Sequence, residues 1–189
     1  MPRGKNSKTS IDNMSEHTHR LEGCDSASLQ TGSQLRAMGG AELARLGDES
    51  LRAHLVDMAM VANQSYAPFR DGLLTKLMDD RNVVRYPVKL VFEMGSLAAH
   101  QFAQPEPNGQ GFTLYLHPEL KSRPDDVIRA LAYFIPVMNF GELINDDHCL
   151  LYGATLVGTT VDDYFKQLCR LADDIGAPAQ DRGAIDSRF

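Results

Sequence analysis

Val84-Arg85-Tyr86-Pro87-Val88-Lys89-Leu90-Val91-Phe92-Glu93-Met94 decides how this chain is read. Val84, Tyr86, Val88, Leu90, Phe92 and Met94 alternate with Arg85, Pro87, Lys89, Val91 and Glu93. A period of two is what a strand with one core face requires. Pro87 has no amide proton to give to a ladder, so this strand is placed at a sheet edge. Downstream, Phe112, Leu114 and Leu116 alternate with Thr113, Tyr115 and His117, a second strand. Between the two, a weaker strand is predicted from about Ala99 to Gln104. It ends in a loop of Pro105, Pro107, Asn108 and Gly109, whose Asn-Gly pair suits a hairpin. Joined in chain order, the three segments predict a small antiparallel meander.

From Pro124 the period changes to about 3.6. Proline suits the first helical position, and Asp125 and Asp126 complement the positive end of the helix dipole. Val127, Ile128, Leu131, Phe134, Ile135 and Met138 then form a broad apolar face, on which Pro136 predicts a kink or an early stop. Asn145 with Asp146 and Asp147 starts another helix through Leu156. Thr160 and Asp163 resemble a capping box before a last helix carrying Tyr164, Phe165, Leu168, Leu171 and Ile175, closed by Gly176 and Pro178. On the N-terminal side, Gly39, Gly40 and Gly47 punctuate the entry to the folded part. Asp48 caps an amphipathic helix (Leu51, Leu55, Met58, Ala62) that Pro68 ends, and Leu73, Leu74, Leu77 and Met78 make a second, short helix. The fold class is therefore α+β: about three antiparallel strands against about five helices, with the three C-terminal helices on one sheet face. One domain is predicted over residues 39–177. Residues 1–38, poor in apolar periodicity, and 178–189 read as tails.

Composition bounds the function. Of the 189 residues 43% are apolar and 23% charged, with a net charge of −6, ordinary for a globular chain and unfavourable for a polyanion partner, so no nucleic acid is predicted. The three cysteines, Cys24, Cys149 and Cys169, are odd in number and lack C-x-x-C spacing. With no signal-like or membrane-spanning run, they predict a cytoplasmic protein that is neither exported nor inserted in a membrane. Nucleotide-binding, nucleophile-elbow and zinc-protease motifs are absent from the sequence.

The most unusual stretch runs from Tyr133 to Gly153, YFIPVMNFGELINDDHCLLYG. It gathers a proline in an apolar helix, an Asn-x-Gly-Glu turn, adjacent carboxylates and a His-Cys pair. Asn139, Glu142, Asp146, His148 and Tyr152 are its candidate pocket residues. His148 and Tyr152, four apart, share a helical face, and Glu142 is placed to approach His148 and orient it. The competing reading is structural: helix-start residues and a turn. Cys149 and Cys169 read as small buried hydrophobes. His117, Glu142 and His148 are the one set that could hold zinc, though no tight-spaced ligand pair supports it and no cofactor is predicted.

The order strand, helix, helix from Phe112 to Gly158, with AYFIPVMN (Ala132 to Asn139) and DDHCLLYGATLVG (Asp146 to Gly158), resembles the core of small zincin peptidases of the ImmA/IrrE type. The resemblance implies a helix that would carry H-E-x-x-H followed by one that would supply an acidic ligand. Here the first reads AYFIPVMN, so the resemblance implies a metal-free relative with no catalytic residue carried over. Three functions stay open: a non-catalytic accessory protein binding a protein or small molecule, a degenerate metal-dependent hydrolase using His148, and a homo-oligomeric interaction module.

Overall fold

The computed structural model describes residues 38–69, 72–98 and 100–176. The chain divides into two units, Met1–Gly39 and Gly40–Phe189, and all the elements below belong to the second. The tails expected at 1–38 and 178–189 lie, Met38 apart, outside the described residues.

The order is α1 (Gly40–Tyr66), α2 (Leu73–Asp79), β1 (Val88–Phe92), β2 (Ala103–Pro107), β3 (Phe112–Leu116), a 3-10 turn (Pro118–Ser122), α3 (Pro124–Phe140), a second 3-10 turn (Gly141–Leu143), α4 (Asp146–Val157) and α5 (Val161–Gly176). The α+β class and the five helices stand as predicted. The meander does not. The sheet order is β1-β3-β2: β3 runs antiparallel to β2 but parallel to β1. The chain after β1 passes over to the far edge before returning through the middle, and alternation alone carries no information on that order.

Strand limits shift for traceable reasons. Val83 and Val84 are buried but lie outside the ladder, because the Arg85 amide donates to the Asn139 side chain at 3.0 Å rather than to a strand. Pro87 stands just before β1, which is an edge strand as its proline required. Its carbonyl accepts from the Phe112 amide at 2.9 Å. Gly111 is needed there, since a Cβ on it would sit 2.1 Å from the Pro87 oxygen. The middle strand, expected over 99–104, lies instead at Ala103–Pro107 and includes the two prolines assigned to a loop. The Phe102 carbonyl accepts from the His117 amide. By alternation Gln104 and Glu106 also face β3, and Pro105 and Pro107 turn to the free edge, where no donor is needed. The Asn-Gly hairpin forms: Asn108 Oδ1 accepts from the amides of Gln110 and Gly111, and Gly109 takes φ +82.

Among the helices, α1 starts eight residues before Asp48 and runs through Gly47. One exposed helical glycine costs only ~1 kcal/mol, and the i,i+4 pairs Arg45–Glu49 and Asp48–Arg52 brace that turn. In α3, Pro124 opens the helix and Asp126 pairs with Arg123 and Arg129. The helix continues four residues past Pro136 without the predicted stop. The three C-terminal helices are stacked rather than laid side by side on the sheet. α3 meets β2 and β3, and α4 packs behind α3, between it and α1, with α5 also against α4. Surrounded in this way, α4 buries His148, Cys149, Tyr152, Gly153, Ala154 and Leu156 around its circumference. The core joins Leu55, Ala59, Leu114, Leu116, Leu131, Ile135, Leu156 and Leu168, each large side chain contributing about 2 kcal/mol of transfer free energy. Among the described residues no helix is long and apolar enough to cross a membrane.

Candidate functional site

The five residues singled out in the sequence do not converge. Asn139 is buried on α3 and clamps the segment before β1: Nδ2 donates to the Val83 carbonyl at 2.8 Å and Oδ1 accepts from the Arg85 amide. Glu142 stands exposed in the Gly141–Leu143 turn. His148 is buried, with 3% of its side chain exposed, and it closes a capping box. Asn145 Oδ1 accepts from the His148 amide at 3.0 Å while His148 Nδ1 accepts from the Asn145 amide at 3.3 Å. The carboxylate beside it comes from α1, not from Glu142. Asp48 Oδ1 lies 2.9 Å from Nε2, yet among the described residues Nε2 has no aligned hydrogen-bond acceptor. The Asp48 carboxyl is held below its ordinary value, first by the hydrogen bond from Arg52, with help from the Arg52 charge and from His148. Asp48 was read as a helix cap but lies inside α1, and its contact with His148 became visible only once α1 and α4 were packed together. Tyr152 shares the face as predicted, yet it is fully buried and its hydroxyl has no partner among the described residues. That burial pushes its phenol up.

His117, Glu142 and His148, the set that could hold zinc, are not brought together. AYFIPVMN places no imidazole, thiol or carboxylate on α3. His117 instead caps the Pro118–Ser122 turn, its Nδ1 facing the Glu119 amide at 3.4 Å. Among the described residues no three His, Cys, Asp or Glu side chains are grouped to hold a metal.

A groove of about 520 Å³ forms elsewhere in the same stretch. One wall is α3, which presents Tyr133, Phe134 and Val137 at i, i+1 and i+4. The start of β2 contributes Phe102, Ala103 and Gln104, and α4 contributes Asp146, Cys149 and Leu150. Phe165, Leu168, Cys169 and Ala172 of α5 close it at helical spacing. Rings cluster on one side: Tyr133 meets Phe134 edge-on with centroids 5.1 Å apart, and Phe134 meets Phe102 at 6.3 Å. The Tyr133 hydroxyl donates to Asp146 Oδ1 at 2.8 Å, fixing a polar pair in an apolar lining. Burial and that bond raise the Tyr133 phenol. Burial first, then the Asp146 charge, pushes the Cys149 thiol up to about 12, and a thiol held protonated is a poor nucleophile.

Of the five candidates only Asp146 lines this groove. Asn139 lines a second depression of about 620 Å³ across Val137, walled by Tyr86, Phe112, Phe140 and the loop Gly109–Gly111. Cys149 is the buried small residue predicted, whereas Cys169 is exposed on the groove side of α5. Phe165 leaves the buried stripe and stands 51% exposed. Sequence reasoning missed Phe102, Tyr133, Phe134 and Phe165. The available signal was an apolar face on α3 wider than one packing partner needs, and an extra aromatic beside the stripe of α5.

Comparison with protein-family models, with curated proteins and with solved structures found no match.

Proposed function

We propose that this chain is a non-catalytic binding protein of the accessory type, and that the groove between α3, β2, α4 and α5 takes a small, largely apolar ligand. The observation that carries this is the groove itself. Its volume falls in the range of about 300–1,000 Å³ usual for small-molecule sites, and its lining is mostly apolar and aromatic, with polar side chains from His100, Gln101, Gln104 and Asn145 and one fixed pair, Tyr133–Asp146. Its position supports the reading too. Tyr133, Phe134 and Val137 come from AYFIPVMN, and Asp146, Cys149 and Leu150 from DDHCLLYGATLVG. The groove is therefore lined by both of the stretches on which the resemblance to small zincin peptidases was drawn. A peptide added as a further strand on β2 is disfavoured, because Pro105 and Pro107 offer the free edge no donors. The unpaired thiols Cys149 and Cys169 support a reducing, cytoplasmic setting.

Ligand-observed NMR with indole and 4-methylphenol tests the proposal. Both should bind with about millimolar affinity, as their size allows. Cys169→Trp, a change at an exposed groove-lining position, should weaken both at least ~10-fold by filling the groove, a loss of ~1.4 kcal/mol. Absence of binding, or binding indifferent to Cys169→Trp, contradicts the proposal.

A further inference from the structure

Chemistry in the groove is asymmetric in charge. Among the described residues no lysine or arginine lines it, its one basic side chain is the imidazole of His100, and its one carboxylate is Asp146. Two other aspartates of α3 and α4 are engaged: Asp147 lies 3.7 Å from Arg52, and Asp126 pairs with both Arg123 and Arg129. Among the described residues Asp146 has no such cationic partner. It accepts from the Tyr133 hydroxyl through Oδ1, which fixes the carboxylate beside the Tyr133–Phe134–Phe102 ring cluster. Aromatic rings carry negative potential on their faces, so rings and a carboxylate at one mouth favour the same kind of guest. The depression on the other side of Val137 has the opposite character. Arg85 stacks over the Phe140 ring at 4.3 Å there, a cation already in place. A positively charged guest is repelled from that depression and drawn to the groove.

Resting on the binding role proposed above, we propose that the groove selects small organic cations: an alkylated ammonium group seated by Asp146 and the aromatic cluster, with an apolar body along Val137, Leu150 and Leu168. Alkylated nitrogen suits the site better than a bare ammonium. Its methyl groups spread the charge and reduce the desolvation cost of entering an apolar lining.

The test compares phenyltrimethylammonium with tert-butylbenzene, which has the same shape without the charge, by saturation-transfer NMR on the full chain at low ionic strength. The cation should bind at least ~10-fold tighter, the scale of a cation–π contact joined to a partly exposed carboxylate. Asp146→Asn should remove most of that preference and leave the affinity for tert-butylbenzene within about twofold. Because Asp146 is exposed, the variant should keep its fold, checked by urea melting. A second reading without mutation is salt: the preference should shrink between about 20 and 500 mM NaCl, while binding of the neutral probe does not weaken. Equal affinities for the two probes, or a preference untouched by Asp146→Asn and by salt, overturn the cation selectivity while leaving an apolar groove. If neither probe binds, the binding role fails with it.

Discussion

Gly153 lies inside α4, and the elementary expectation for a helical glycine is that alanine improves it by ~1 kcal/mol. The packing reverses the sign. A Cβ on Gly153 would stand 2.3 Å from the Cε1, Cζ and hydroxyl of Tyr164. That ring is fully buried between α4 and the core, and its hydroxyl donates to the Arg129 carbonyl at 2.7 Å. Alanine must push the ring aside. Overpacking of a tight core costs ~1–3 kcal/mol, and displacing the hydroxyl from its acceptor costs a further ~1–3 kcal/mol. Against the propensity gain, the net is a loss of about 3 kcal/mol, or roughly 10 °C in melting temperature for a domain of this size. Gly47→Ala on α1 is the internal control: nothing lies within 4 Å of the added carbon, so it should stabilise by ~0.5–1 kcal/mol. Urea and thermal melts of the two variants against the parent measure both values. A Gly153→Ala protein as stable as Gly47→Ala would refute the close seating of α5 on α4.

Tyr152→Phe removes a buried hydroxyl that has no partner among the described residues, so stability should stay level or rise by ~1 kcal/mol in urea melts; a loss above ~1 kcal/mol would reveal a bond this account lacks. For Asp48, the folded-state pKa lies below the ordinary 3.8, through the Arg52 hydrogen bond first and then the Arg52 and His148 charges. Its contribution is therefore present above pH about 4 and disappears as pH falls through the lowered value. Urea midpoints of wild type and Asp48→Asn should accordingly converge as pH falls below about 4, and parallel profiles would show the contact to be idle. Iodoacetamide at pH 8 should label Cys169, which is exposed, while Cys149, buried and with its thiol pushed up to about 12, should react only on unfolding; peptide mass mapping reads both, and rapid native labelling of Cys149 would contradict its seat behind the groove.

How far the sequence announced this structure depends on whether a signal was local. The strand at Val88–Phe92, its edge position through Pro87, the Asn108–Gly109 hairpin and the Asn145 cap are written in neighbouring residues, and all were legible. The parallel pairing of β1 with β3 was not, because nothing in either strand encodes which one lies between. Pro105 and Pro107 were read as a loop since a proline removes a donor, but on the outer side of an edge strand that donor has no use. The Asp48–His148 contact joins residues a hundred positions apart, beyond any spacing rule. The site shows the same division. The stretch from Tyr133 to Gly153 contributes the α3 and α4 walls of the groove. Polar residues within it drew attention, yet Asn139 and His148 do structural work, and the groove is lined by rings and aliphatic side chains that resemble core until neighbouring helices leave one of their sides open.

The groove as the binding site is tested most directly by titrating indole into methyl-labelled protein and following the methyl resonances. Those of Val137, Ile144, Leu150 and Leu168, which line the groove, should shift together and saturate with one affinity, while Leu55 and Leu77, buried away from it, stay in place. Shifts centred instead on the exposed Leu43, Met60 and Val61 of α1, or none at all, would contradict the account.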